Sequence, residues 1–367
     1  MFNVRKRLLE TAEFALLVEC CRRAIMPANA KTDERLLPAE LDWEVFLALA
    51  RRHRVQGLVW RDLHSRAAEL APAVADALAE DARTIAQDGM MDAAESARLL
   101  KAFSAAGVAV LFVKGLPLAQ LAYGDPFVKM SSDIDILIGV DQLDDAVAAL
   151  RRLEYELVIP AANGASNRLR RWHQSRKESV WVRTSENMNV ELHTRLTDNL
   201  RLLPGMGAGA PHQLVPVAPG VTVPTLATDE LFAYLCVHGA SSAWFRLKWL
   251  ADLAGLLRDR SPKEISHLHL AAQKLGAGRA PSYALLLAQD FFNIELEPRL
   301  VTAIEADGAN RLLARMAWRQ MISVAEPTST RFGTLTIHLV QFLLHPGVRF
   351  KIGELRRQLA EMAANRA

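Results

Sequence analysis

The sequence predicts an α+β protein: a small mixed β-sheet core flanked by N-terminal and C-terminal helical regions. Apolar residues recur at three- and four-residue spacing up to about residue 105 and again from Asp229 onward, the period of a helix with one buried face. Between those regions, Val108-Ala109-Val110-Leu111-Phe112-Val113 is a short continuous apolar run, the pattern of a strand buried on both sides. Helix-like and strand-like segments then alternate, as in a sheet with a helix layer. The expected units are residues 1–105, 106–224 and 225–367.

The first helices are carried by Phe14, Leu17, Val18, Cys21 and Ile25, and then by Trp43, Phe46, Leu47 and Ala50, with Pro27–Pro38 separating them. An Ala-rich helix is expected from about Ala71 to Phe103, stopping before Gly107. After the Val108–Val113 strand, Leu116–Tyr123 reads as a short helix with Pro117 in its first turn. Asp133–Ile138 reads as a strand, and Gln142–Leu153 as an amphipathic helix opened by Asp141. Strands near Ser179–Arg183 and Met188–Thr194 complete the sheet. Pro204–Pro224 holds five prolines and four glycines and is expected to be a linker or covering loop. Beyond it, a helix starting at Asp229-Glu230 is expected to end at His238-Gly239, and Trp244–Leu257 reads as the clearest helix of the C-terminal region.

A composition of 51% hydrophobic against 23% charged residues excludes an intrinsically disordered chain. Lys plus Arg total 44 against 41 acidic residues, so the net charge of +3 does not point to RNA or DNA as a partner. Cys20, Cys21 and Cys236 form neither a disulfide framework nor a zinc-type spacing, which fits a reducing compartment. In the stretch after Arg5, Lys6 and Arg7, Glu10 and Glu13 interrupt the apolar run that an export signal needs. Val108–Val113 and Leu339–Leu344 are far shorter than the roughly 20 residues of a membrane span. A soluble, cytoplasmic protein without a membrane partner is expected.

The chemistry concentrates in carboxylates. Asp133 and Asp135 stand two apart on a strand, so both side chains leave one face while Ile134, Ile136 and Ile138 leave the other. Two close carboxylates repel unless a cation is present, and hard oxygen donors favour Mg²⁺ or Mn²⁺. Glu191 lies in Asn189-Val190-Glu191-Leu192-His193, sharing a face with His193, and a neighbouring strand would bring it to the aspartates. Three carboxylates so placed suit in-line displacement at phosphorus. Lys114-Gly115, directly after a buried strand and before a helix, has the composition of a phosphate-binding turn. Arg168, Arg170, Arg171, Trp172, Arg176 and Lys177 form a basic segment read as a solvated loop, the alternatives being contact with a nucleic-acid backbone or a phosphorylated acceptor, or closure over the nucleotide.

Lys114-Gly115, Tyr123-Gly124-Asp125-Pro126, Ser132-Asp133-Ile134-Asp135-Ile136-Leu137-Ile138 and Val190-Glu191-Leu192-His193 together resemble the bacterial uncharacterised nucleotidyltransferase family, within the DNA polymerase β-like nucleotidyltransferase superfamily. The resemblance continues through His238-Gly239-Ala240 and Trp244–Leu253 and covers most of the chain. It implies a polymerase β-like core using an NTP as substrate, with Asp133, Asp135 and Glu191 as catalytic and metal-binding acids and Lys114 and Gly115 at the phosphate turn. Where most of the superfamily has Gly-Ser this family has Lys-Gly, and Ser132 or Ser131 is expected to take the serine's place. Lys248 and Asp252, four apart on one helix, resemble the Lys and Asp that assist triphosphate binding in toxin-type relatives, the alternative being an ordinary surface ion pair. His238 is a further candidate for the nucleotide, or a helix-end histidine. The expected reaction is transfer of NMP to an acceptor hydroxyl, with a small molecule, a peptide or protein and RNA all left open. The competing readings are a catalytically silent nucleotide-binding scaffold and a toxin that modifies tRNA.

Overall fold

The structure is a computed structural model that describes residues 11–26, 37, 40–161, 166–323, 325–329 and 333–364. The expectations for Met1–Glu10, and for Pro27–Pro38 apart from Leu37, lie outside the described residues. The chain forms two compact units, one made of residues up to Arg83 and from Leu235 onward, the other of Thr84–Tyr234. Among the described residues no helix is long and apolar enough to cross a membrane.

The first unit begins with α1 (Ala12–Ile25), α2 (Trp43–His53) and α3 (Gln56–Leu63). Short polar side chains start the first two: the Thr11 hydroxyl accepts from the Phe14 amide, and Asp42 accepts from the amides of Glu44 and Val45. Cys20 and Cys21 are free and buried, and burial holds their thiol pKa values above the ordinary range.

α4 (Pro72–Ala105) carries the chain into the second unit, which contains β1 (Val110–Phe112), α5 (Leu116–Tyr123), β2 (Ile134–Ile138), α6 (Leu143–Arg152) and β3 (Glu156–Ile159). It continues through α7 (Ser166–Ser175), β4 (Glu178–Arg183), β5 (Met188–His193), β6 (His212–Ala218) and β7 (Val221–Leu226) to α8 (Thr228–Ser241). The main sheet has the order β1-β2-β5-β4-β3; β2 and β5 are parallel and the other pairs antiparallel. Side-chain alternation splits its two faces. Ile134, Ile136, Ile138, Val190, Leu192 and Trp181 enter a core with Leu99 and Phe103 of α4 and Leu143, Ala146 and Leu150 of α6. The opposite face carries Asp135, Glu191, His193 and Glu178, so the sheet is a scaffold greasy on one side and ionic on the other.

Three expectations are corrected in this unit. Pro204–Pro224 is not a plain linker: His212–Leu226 forms a hairpin whose two strands have no further strand partner among the described residues, and only in such a strand can Pro216 and Pro224 sit without costing a ladder bond. The basic segment is helical from Ser166 to Ser175 rather than a loop. α6 starts at Leu143 with no side-chain cap; Gln142 instead ties the strand entrance, accepting from the Ala109 amide (3.2 Å) and donating to the Gly107 carbonyl (2.9 Å).

The first unit resumes in α8 and continues through α9 (Leu247–Leu257), α10 (Pro262–Lys274), α11 (Ala280–Phe292), α12 (Pro298–Ala306), α13 (Gly308–Ile322), α14 (Leu335–Leu343) and α15 (Val348–Ala364). α8 does not stop at Gly239 but runs to Ser241. The glycine serves packing instead: the Trp244 amide bonds the Gly239 carbonyl at 2.9 Å, and a Cβ on residue 239 would stand 2.5 Å from the Trp244 ring.

Candidate active site

The ionic face of the sheet is assembled by register. Asp135 and Glu191 are direct partners across the parallel β2–β5 pair, and Glu178 and His193 are direct partners across the antiparallel β4–β5 pair. Cross-strand partners share a face at short range, so all four side chains meet. Asp135, Glu191 and His193 each bring a ligand atom within 4.8 Å of the others.

Asp135 is the centre of the cluster. Its Oδ1 accepts from Lys114 Nζ at 2.7 Å and from His193 Nε2 at 2.9 Å, with only 2% of its side chain exposed. Burial opposes its ionisation, but Lys114 and His193 outweigh burial and hold the carboxyl well below the usual range. The same pair acts on the cations. Burial pulls the Lys114 ammonium down, and Asp135, Tyr234, Glu191 and Asp133 together push it well above the ordinary lysine value. Burial and Lys177 pull the His193 imidazolium down, and its bonds to Asp135 and Glu191 raise it on balance.

Glu191 lies 3.5 Å from His193 Nε2 and its carboxyl is pushed up, first by burial, with His193 lowering it and repulsion from Asp135, Glu178 and Asp133 raising it further. Glu178 Oε2 is 3.4 Å from His193 Nδ1, close enough for charge attraction but not aligned as a hydrogen bond. Burial works against the Glu178 anion, while Lys177 and then His193 hold its pKa below normal. Lys177 sits in the bend before β4, its Nζ on the Glu178 carboxylate.

The expected site residues fall as follows. Asp133 is half-buried and just precedes β2; the Ser132 hydroxyl donates to its Oδ2 at 2.9 Å, and the Ser131 hydroxyl to its carbonyl at 2.8 Å. Asn189 donates to the Ser132 carbonyl at 3.2 Å, tying this entrance to β5. Gly115 caps α5 with φ 64° and ψ −131°, a conformation that only glycine adopts without strain. Lys248 and Asp252 lie on α9 and His238 on α8, all in the other unit. There Asp252 is buried, and His238 packs edge-on against Trp249 with ring centroids 5.7 Å apart.

Several contributors are not singled out by the sequence. Glu178 joins through the β4–β5 register, Lys177, which the sequence offers only as part of a basic segment, joins through its contact with Glu178, and Tyr234 of α8 adds a buried phenol whose pKa burial pushes up to about 12, so it stays neutral. Asp92 of α4 has its carboxyl pushed up to about 7, chiefly by burial and then by Asp88 and Asp133. The only sequence signal for Glu178 is alternation: Glu178, Val180 and Val182 share a face, as Asn189, Glu191 and His193 do. Nothing in the sequence pairs Asp92 with a residue about 40 positions later.

The donor set suits a divalent cation. Asp135 and Glu191 face each other from adjacent strands, Asp133 stands at the entrance, and the Glu191 anion is disfavoured by its acidic neighbours, a deficit that a cation relieves.

A family model described as an uncharacterised nucleotidyltransferase matches residues 39–293, more than half of the chain and the whole of this cluster. No curated protein matches the chain.

Proposed function

The chain belongs to the uncharacterised nucleotidyltransferase family, and on that premise we propose that it transfers a nucleoside monophosphate from an NTP to an acceptor hydroxyl, with Mg²⁺ or Mn²⁺ as cofactor. The observation that carries this reading is the in-register pairing of Asp135 with Glu191, beside Lys114 and the Gly115 turn. In the reaction the acceptor oxygen bonds to the α-phosphorus, the bond from that phosphorus to the leaving pyrophosphate breaks, and the acceptor hydroxyl loses its proton. A divalent cation held by Asp135 and Glu191, with Asp133 beside them, would polarise the phosphate oxygens and offset charge on the leaving group.

The chain's own residues supply positioning and proton handling. Lys114 presents an ammonium that its surroundings keep charged, suited to the triphosphate. Gly115 lets the backbone approach phosphate where a side chain would be strained, at the start of α5. Glu191, in register with Asp135 on the adjacent strand, stands beside the reacting group and takes the acceptor proton. His193 touches both acids and fixes their separation, a positioning role.

The test is incubation of the protein with α-labelled NTPs and Mn²⁺ in an extract from cells lacking its own gene. Label from the α-phosphate should enter an acceptor with release of pyrophosphate, and Glu191→Gln should remove it. NTP binding without transfer to any acceptor would support the silent-scaffold reading, and label confined to tRNA would identify the acceptor as RNA.

A further inference from the structure

The ionic face is organised as a chain of alternating charge: Lys177 on Glu178, Glu178 near His193 Nδ1, His193 Nε2 on Asp135, and Asp135 on Lys114. The array begins and ends with a lysine. Lys114 enters from the turn after β1 and Lys177 from the bend before β4, so the two ammonium groups reach the acids from opposite ends of the array.

Lys177 is poorly explained as a structural residue. Its ion-pair partner is its own neighbour in sequence, so the pair fastens no two elements together. Its side chain is 22% exposed and that of Glu178 29%, so the pair is partly open to solvent. Its backbone is nevertheless fixed on both sides, with its amide donating to Asp198 Oδ1 at 3.1 Å and its carbonyl accepting from the Thr194 amide at 2.9 Å. The helix that precedes it is anchored as well: His173 bridges Thr194 and Ser179 at 3.1 Å each, and the Trp172 indole donates to the Glu178 carbonyl at 2.7 Å. A lysine held in place by its backbone, with its ammonium on the adjacent glutamate and further attraction from Tyr234 and Asp198, is set to exchange that glutamate for an incoming anion.

We propose that Lys177 is a second phosphate-binding residue, acting with Lys114 so that the polyphosphate tail of the nucleotide is taken between two lysines. Glu178 holds the ammonium of Lys177 in position until phosphate replaces it. This assignment rests on the nucleotidyltransferase reading and names what selects a triphosphate over a monophosphate. Three basic groups, Lys114, Lys177 and His193, face four acids, Asp133, Asp135, Glu178 and Glu191. Cations on the acids would leave the lysines with excess positive charge, which a triphosphate matches and a monophosphate does not.

The experiment is equilibrium binding of a fluorescent NTP analogue, with a methylene group between the α- and β-phosphates, to the full chain in Mn²⁺. Unlabelled pyrophosphate and NMP serve as competitors. Lys177→Gln should weaken the NTP analogue and pyrophosphate about tenfold and leave NMP competition unchanged, while Lys177→Arg restores most of the loss. Glu178→Gln, which frees Lys177 without removing it, should bind the analogue at least as tightly as the parent. Equal affinity of parent and Lys177→Gln overturns the assignment of Lys177 alone, as does an equal loss for NTP and NMP. No binding by the parent protein overturns the nucleotidyltransferase reading and this proposal with it.

Discussion

Asp135 has an ammonium and an imidazole nitrogen on one oxygen and almost no solvent, and such a charge is stable only while its partners remain. Replacing it with asparagine would leave Lys114 and His193 without their main counter-charge in a buried setting, so Asp135→Asn is expected to cost about 3 kcal/mol in urea denaturation. Asp92 poses the opposite problem. Burial, then Asp88 and Asp133, push its carboxyl up to about 7, against roughly 4 in an unfolded chain. The folded protein therefore keeps a proton there that the unfolded chain releases, so the stability linked to this group is complete below about pH 4 and is lost as pH rises through about 7. In a chelating buffer Asp92→Asn should exceed the parent in stability by about 4 kcal/mol at pH 8, the free-energy equivalent of that rise from roughly 4 to about 7, and match it near pH 4. At this scale the sequence makes Asp135, Glu191 and Lys114 legible because spacing alone puts the acids on strand faces and the lysine at a strand end. Glu178 and Asp92 are not legible because each joins the cluster through packing of elements whose register or approach no local pattern encodes, and Lys177 is legible only as one cation of a basic segment.

The elements that build the site depend on a few backbone decisions. Gly115 ends the β1 turn at φ 64° and ψ −131°, and a Cβ there would meet only the Ser131 hydroxyl at 3.6 Å, so conformation rather than space demands glycine. Gly115→Ala should cost about 1–2 kcal/mol and weaken NTP binding, read by thermal unfolding and by titration with the methylene analogue. At Gly239 the reverse holds, since the Trp244 ring occupies the place of a Cβ at 2.5 Å. Gly239→Ala should destabilise by about 2–3 kcal/mol in thermal unfolding. The strands β1, β2, β4 and β5 were readable from apolar runs and alternation, with ends moved by one or two residues. The β6–β7 hairpin was hidden by its prolines, which two lone strands tolerate and a central strand would not. The helix Ser166–Ser175 was hidden by its charge: its apolar anchors are little more than Leu169, Trp172 and His173, too few to show a period against the arginines around them.

At the scale of the molecule, a sheet with one apolar and one ionic face sits in a unit of its own, and helices make up the other unit described. The α+β class follows from where the hydrophobic period changes, at Val108 and again before Asp229. The alternation of elements through β2 and β5 produces the parallel pair that sets Asp135 opposite Glu191, and every chemical role assigned above depends on that pairing. The most direct test is Mn²⁺ binding to the full chain, followed by the loss of free-ion electron paramagnetic resonance signal in the presence of the methylene NTP analogue. The parent protein should bind Mn²⁺, and Glu191→Gln, checked for an unchanged fold by circular dichroism, should bind at least about tenfold more weakly. Equal Mn²⁺ affinity in parent and variant would contradict the account.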